Sequence, residues 1–139
     1  MGITRPTDQQ LMRFARDERT TPIVMLNLLR YRERAAYPAG VPDTDVSGRE
    51  AYYRYGMIAQ AAIAAVGGRI LWGAPCEQTV IGESAEEWDD VVAVWYPSRA
   101  AFLKMIDEPE YQKGHVHRDA GLERTVVIAC HGPAEPTSG

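Results

Sequence analysis

Apolar residues along the chain alternate between a helical and an extended rhythm, and the switches mark out the elements. Thr7-Asp8-Gln9-Gln10 reads as a capping box, with Leu11, Phe14 and Ala15 on one face beyond it. That pattern predicts a helix ending near Arg19. After Pro22, the run from Ile23 to Leu29 is apolar on both faces except for Asn27 and predicts a central strand. Residues 32–46, rich in Pro, Gly, Ala and Asp, predict a long loop. Ser47-Gly48-Arg49-Glu50 is a second capping box. Tyr52, Tyr55, Ala59, Ala62, Ile63 and Val66 then recur at i, i+3, i+4 spacing until Gly67-Gly68 stops the helix.

Arg69 to Trp72 predicts a second strand, bent or broken by Gly73 and Pro75 and resuming through Gln78 to Ile81. The acidic stretch from Glu83 to Asp90 reads as a solvated connection. Val91 to Tyr96 is rich in strand formers and predicts a third strand. Pro97-Ser98 caps a short helix through Met105 and Ile106, Pro109 opens another running to about Ala120, and Arg124 to Cys130 predicts the last strand. An N-terminal helix followed by β-α-β-β-α-β is the ferredoxin-like order, an α+β fold with a four-stranded antiparallel sheet. The expected organisation of residues 1–139 is one domain: a helical extension (1–20), the ferredoxin-like core (22–131) and a flexible tail (132–139). Helices cover one face of such a sheet. The strands are apolar on both faces, so a second copy of the chain is the expected cover for the other.

Composition narrows the function classes. The chain has 139 residues, 45% of them hydrophobic and 24% charged, with a formal net charge of -4. Nucleic-acid binders carry a basic face, so that partner is not expected. No apolar run approaches the ~20 residues that span a bilayer, and the N-terminus lacks a secretory apolar stretch. Two cysteines, Cys76 and Cys130, make no disulfide framework, and a cytoplasmic chain with reduced thiols is the expectation.

Three strings resemble one known family: Gly67-Gly68-Arg69-Ile70-Leu71; Val94-Trp95-Tyr96-Pro97-Ser98-Arg99-Ala100-Ala101; and Pro109-Glu110-Tyr111-Gln112, with Arg118 seven residues after Tyr111. The chain resembles the domain-of-unknown-function family thirteen-thirty, among the dimeric α+β-barrel proteins, over about residues 22–130. The resemblance implies a ferredoxin-like subunit whose sheet packs on a second sheet in a barrel-like homodimer. The chain departs from the family pattern in its leading helix, the loop near 32–46, the acidic connection, and Lys104-Met105 where the family often shows Trp-Tyr. Relatives on this fold span cofactor-free oxygenases, lactone isomerases and haem-handling enzymes, so the fold does not choose the function.

The candidate chemistry lies on two helices and one strand. In a helix after Pro109, Tyr111, His115 and Arg118 share a face and His117 points away. A phenol, an imidazole and a guanidinium together can hold an anionic or enolic ligand and move a proton; the alternative is a helix edge with an ordinary Arg and a solvated His. His115 and His117 at i and i+2 cannot chelate one ion, so no metal is expected, and no cofactor motif is present. Asn27 falls on the strand face shared by Ile23, Met25 and Leu29, where its amide needs a partner: ligand, Tyr hydroxyl or backbone. Tyr52 and Tyr55 lie on the buried helical stripe, and their hydroxyls need partners too. Arg49, beside a helix N-terminus, suits a carboxylate ligand or is a surface Arg. Two functions follow. One is a cofactor-independent enzyme, transferring a proton to or from a small acidic or phenolic compound or oxidising it. His115 and Arg118 would be catalytic, and Asn27, Arg49, Tyr52, Tyr55 and Tyr111 would bind substrate. The other is a non-catalytic ligand-binding or structural homodimer.

Overall fold

Local signals set most of the elements. The computed structural model describes residues 2–136. In α1 (Asp8–Arg16) the Thr7 hydroxyl accepts from the Gln10 amide, and the Gln10 side chain accepts from the Thr7 amide. The helix ends at Arg16, short of Arg19, because Asp17 turns to extended backbone and its carboxylate binds the Arg19 guanidinium and amide. β1 (Ile23–Tyr31) follows. α2 (Gly48–Ala65) starts at Ser47, whose hydroxyl accepts from the Glu50 amide. β2 (Arg69–Pro75) stops at Pro75. The expected resumption through Gln78–Ile81 does not occur: Val80 and Ile81 are 84% and 94% exposed in a loop.

β3 (Asp90–Tyr96) leads to α3 (Arg99–Asp107), capped by the Ser98 hydroxyl. The helix expected from Pro109 to about Ala120 is two pieces, α4 (Pro109–Gln112) and α5 (His115–Gly121), followed by β4 (Leu122–His131). The strand order is β2-β3-β1-β4, every neighbouring pair antiparallel, as the ferredoxin-like reading requires.

Strand alternation divides the sheet. Ile23, Met25, Asn27 and Leu29 pair across β1–β3 with Tyr96, Val94, Val92 and Asp90, and this face lies under the helices. The core there joins Ile23, Met25, Val94 and Tyr96 to Ile63 of α2, Met105 of α3 and Tyr111 of α4. The opposite face carries Val24, Leu26 and Leu28, partly exposed, beside Trp72, Val126 and Ile128, exposed at 49%, 38% and 47%. The start of the C-terminal tail is fastened: the Gly132 amide donates to the Pro22 carbonyl and the Trp95 indole to the Pro133 carbonyl. Residues 137–139 of that expected flexible tail lie outside the described residues.

Candidate functional site

Two close approaches build the site. A Cβ on Gly48 would collide with the carbonyl oxygens of Arg32 and Gly121, and one on Gly121 with the Gly48 carbonyl. Only bare backbone lets the start of α2 and the end of α5 come this near, and it brings Tyr52 to the side of the fold that carries Arg118. At the break between α4 and α5, a Cβ on Gly114 would lie 3.1 Å from the Tyr55 ring. Tyr55 therefore rests on backbone, and its hydroxyl lies 2.7 Å from that of Tyr111. The break keeps Tyr111 and His115 on one side, with their rings edge to face at 5.2 Å.

These contacts frame an open cleft of about 1480 Å³ between the helices and the β1–β3–β4 face. It exceeds the roughly 300 Å³ at which small-molecule pockets begin. Asn27, Tyr52, Tyr55, Tyr111, His115 and Arg118 all border it. The N-terminal segment, for which the sequence offered no signal, adds a further wall, and Ala85, Glu86 and Trp88 of the acidic connection border the cleft as well. The Arg118 Nη1 donates to the Thr4 carbonyl at 2.7 Å, Arg5 pairs with Asp119, and the Thr125 amide donates to the Ile3 carbonyl.

The electrostatics favour neutral proton-handling groups beside Arg118. Burial, with the positive charges of Arg5 and Arg118, holds His115 below the ordinary histidine pKa and outweighs the opposing pull of Asp119. Burial lifts the Tyr52 phenol to about 12 against the pull of Arg118, and lifts Tyr55 well above its usual value. Tyr52 makes no side-chain hydrogen bond among the described residues. The Asn27 nitrogen donates to the carbonyls of Met25 and Val92 at 3.1 and 3.3 Å, so backbone is the partner its position demanded.

Two expected site features separate from this group. Arg49 does not border the cleft; it donates to the Asp90 carboxylate at 2.7 Å, over the Tyr31 ring. The anion beside it belongs to its own chain. Asp90 is buried, not solvated as expected for the acidic connection, and also accepts from the Tyr31 hydroxyl at 2.6 Å. Extending the alternation of Tyr96, Val94 and Val92 by one step puts Asp90 on the helix side, a signal present in the sequence. His117, as expected, faces away. Arg54 donates to the Tyr37 hydroxyl, which lies 2.7 Å from His117 Nδ1.

Comparison with known proteins agrees with this architecture. The model of a family described as a domain of unknown function (DUF1330) matches residues 40–131. The crystal structure of methylated RPA0582 protein is 38% identical, with a TM-score of 0.87 and 97% of each chain covered. That of RPA0582, a protein of unknown function from Rhodopseudomonas palustris, is 37% identical with the same TM-score, covering 96% of this chain and 98% of the other. A hydroxynitrile lyase from Passiflora edulis shares the fold at 9% identity and a TM-score of 0.54, covering 84% of this chain and 98% of its own. No curated protein matches. No helix among the described residues is long and apolar enough to cross a membrane.

Proposed function

The chain belongs to the family described as a domain of unknown function, DUF1330, and on that premise we propose that it binds a small acidic or phenolic compound in the cleft and moves a proton on it. The observation that carries this reading is the convergence of Asn27, Tyr52, Tyr55, Tyr111, His115 and Arg118, from one strand and three helices, on a single cleft. Arg118 holds the anionic group. His115, kept neutral by burial and by the neighbouring positive charges, accepts a proton from the ligand at a ring nitrogen and returns it. The negative charge left on the ligand is stabilised by the Arg118 guanidinium and by Tyr52, whose phenol keeps its proton at neutral pH and donates. Proton and electron pair both stay within the ligand–His115 pair, so the step needs no co-reactant. The active form is a homodimer joined through the helix-free sheet face.

The test is a thermal-shift screen of phenols, lactones and keto acids against the wild type, Arg118→Ala and Asn27→Ala. Ligands that stabilise the wild type are expected to lose most of their effect in Arg118→Ala. A ligand that stabilises all three proteins equally would remove these residues from the site.

A further inference from the structure

The hydrogen-bonding capacity that faces the cleft narrows the ligand further. The Asn27 nitrogen is identified by its two carbonyl partners, Met25 and Val92, since an oxygen there would face two other acceptors. Its Oδ1 is then a bare acceptor: it forms no hydrogen bond among the described residues and asks for a donor. Arg118 commits one Nη1 contact to Thr4 and keeps further N–H groups. The other cations at the cleft each have a carboxylate or an aromatic face as partner: Arg5 pairs with Asp119, Arg54 lies over the Tyr37 ring, and Arg124 lies over the Trp88 ring while donating to the Glu87 carbonyl. Among the described residues Arg118 alone of these four has neither a carboxylate nor an aromatic face as partner, so it is the guanidinium that asks for a negative charge. A second anion beside Oδ1 would meet only repulsion.

Strand register sets the span between these two demands. Leu29 pairs with Thr125 and Asn27 with Val127. Thr125 bonds to Ile3, the neighbour of the residue that Arg118 grips. Two residues along a strand and two strand spacings across put the guanidinium and Oδ1 on the order of 10 Å apart. A benzene ring with acid and hydroxyl at opposite ends, plus a hydrogen bond of about 2.8 Å at each end, bridges that gap. Val127 supplies apolar wall between the two ends, and Met25 and Val92 flank Asn27 on its far side.

We infer that the ligand is a hydroxylated aromatic acid, its carboxylate on Arg118 and Tyr52 and its hydroxyl donating to Asn27 Oδ1. This inference rests on the cleft being the ligand site. A phenol alone leaves Arg118 without its anion, and a simple aromatic acid leaves Oδ1 without its donor.

Calorimetric titration of the full chain with 4-hydroxybenzoate, benzoate and phenol tests it. A site built to pair a ligand hydroxyl discriminates strongly against the analogue lacking it, so 4-hydroxybenzoate should bind at least roughly tenfold more tightly than either fragment. Asn27→Leu should bring 4-hydroxybenzoate down to the benzoate affinity and leave benzoate unchanged. Asn27→Ala serves as the second variant if Leu disturbs folding, as read by circular dichroism. Arg118→Gln should weaken both acids and leave phenol unchanged. Equal binding of 4-hydroxybenzoate and benzoate by the wild type would overturn the inference, as would equal losses of both in the Asn27 variants. Either result leaves the cleft as a binding site. If none of the three binds but another acid or phenol does in the broader screen, this inference alone falls. Silence in both experiments removes the binding function itself.

Discussion

At the scale of single residues, the two histidines of α5 serve different neighbours but titrate in the same direction. Burial lowers the pKa of His115, helped by Arg5 and Arg118, and burial with Arg54 lowers that of His117. Their folded values lie below the unfolded value of 6.5. Between the two values the unfolded chain binds more protons, so stability rises with pH through that window and is lost on acidification. Asp17, held far below the carboxylate range by its bonds to Arg19, does not contribute there. Urea midpoints are expected to fall from about pH 7.5 to about pH 5. His115→Gln and His117→Gln should each flatten the slope, and an unchanged slope in the double variant would contradict the assignment. The shared face of Tyr111, His115 and Arg118 was legible from helical spacing, and it survives the break at Gly114. What spacing could not supply was the partner of each group: Asp90 for Arg49, Thr4 for Arg118, Tyr37 for His117. Those partners are separated by 41, 114 and 80 residues.

Among the elements, α1 stands apart. Its start is written in the Thr7–Gln10 box, yet none of its residues is buried. Three side-chain contacts fasten it to α3: Phe14 edge-on to Phe102 at 5.5 Å, Arg99 over the Phe14 ring at 4.6 Å, and Arg99 to Asp17 at 3.5 Å. An element with so little apolar anchorage opens below the global unfolding free energy. Phe14→Ala should cost about 1–2 kcal/mol, below a core phenylalanine because the ring is only half-buried. In hydrogen exchange, the α1 amides of that variant should lose protection while β1 retains it. Exchange of α1 only together with β1 would show that the helix belongs to the cooperative core. Because the segment before α1 also walls the cleft, opening there bears on ligand entry. The capping box predicts such a helix wherever it docks; where it docks depends on Phe102 and Arg99, far along the chain.

For the whole molecule, assembly turns on the helix-free sheet face. Trp72, Val126 and Ile128 are exposed beside Val24, Leu26 and Leu28, a contiguous apolar surface of the kind that marks an interface. Sedimentation at micromolar concentration should give about twice the protomer mass. Ile128→Glu, which sets a charge into the middle of that surface, should shift the chain to monomer while its circular dichroism stays unchanged. A wild type that sediments as a monomer would refute the homodimer.

Periodicity and caps along the chain determined the element order, the antiparallel ferredoxin-like sheet and the face on which Asn27 lies, because these depend on residues a few positions apart. The end of β2 at Pro75 and the split between α4 and α5 fell to local backbone chemistry that the hydrophobic pattern alone does not resolve. The tertiary structure decided that Asp90 is buried, that Arg49 answers to it and that the N-terminal segment closes one side of the cleft. Each of these is a pairing of charge or carbonyl across the fold, and such pairings depend on which distant backbones come close enough to meet.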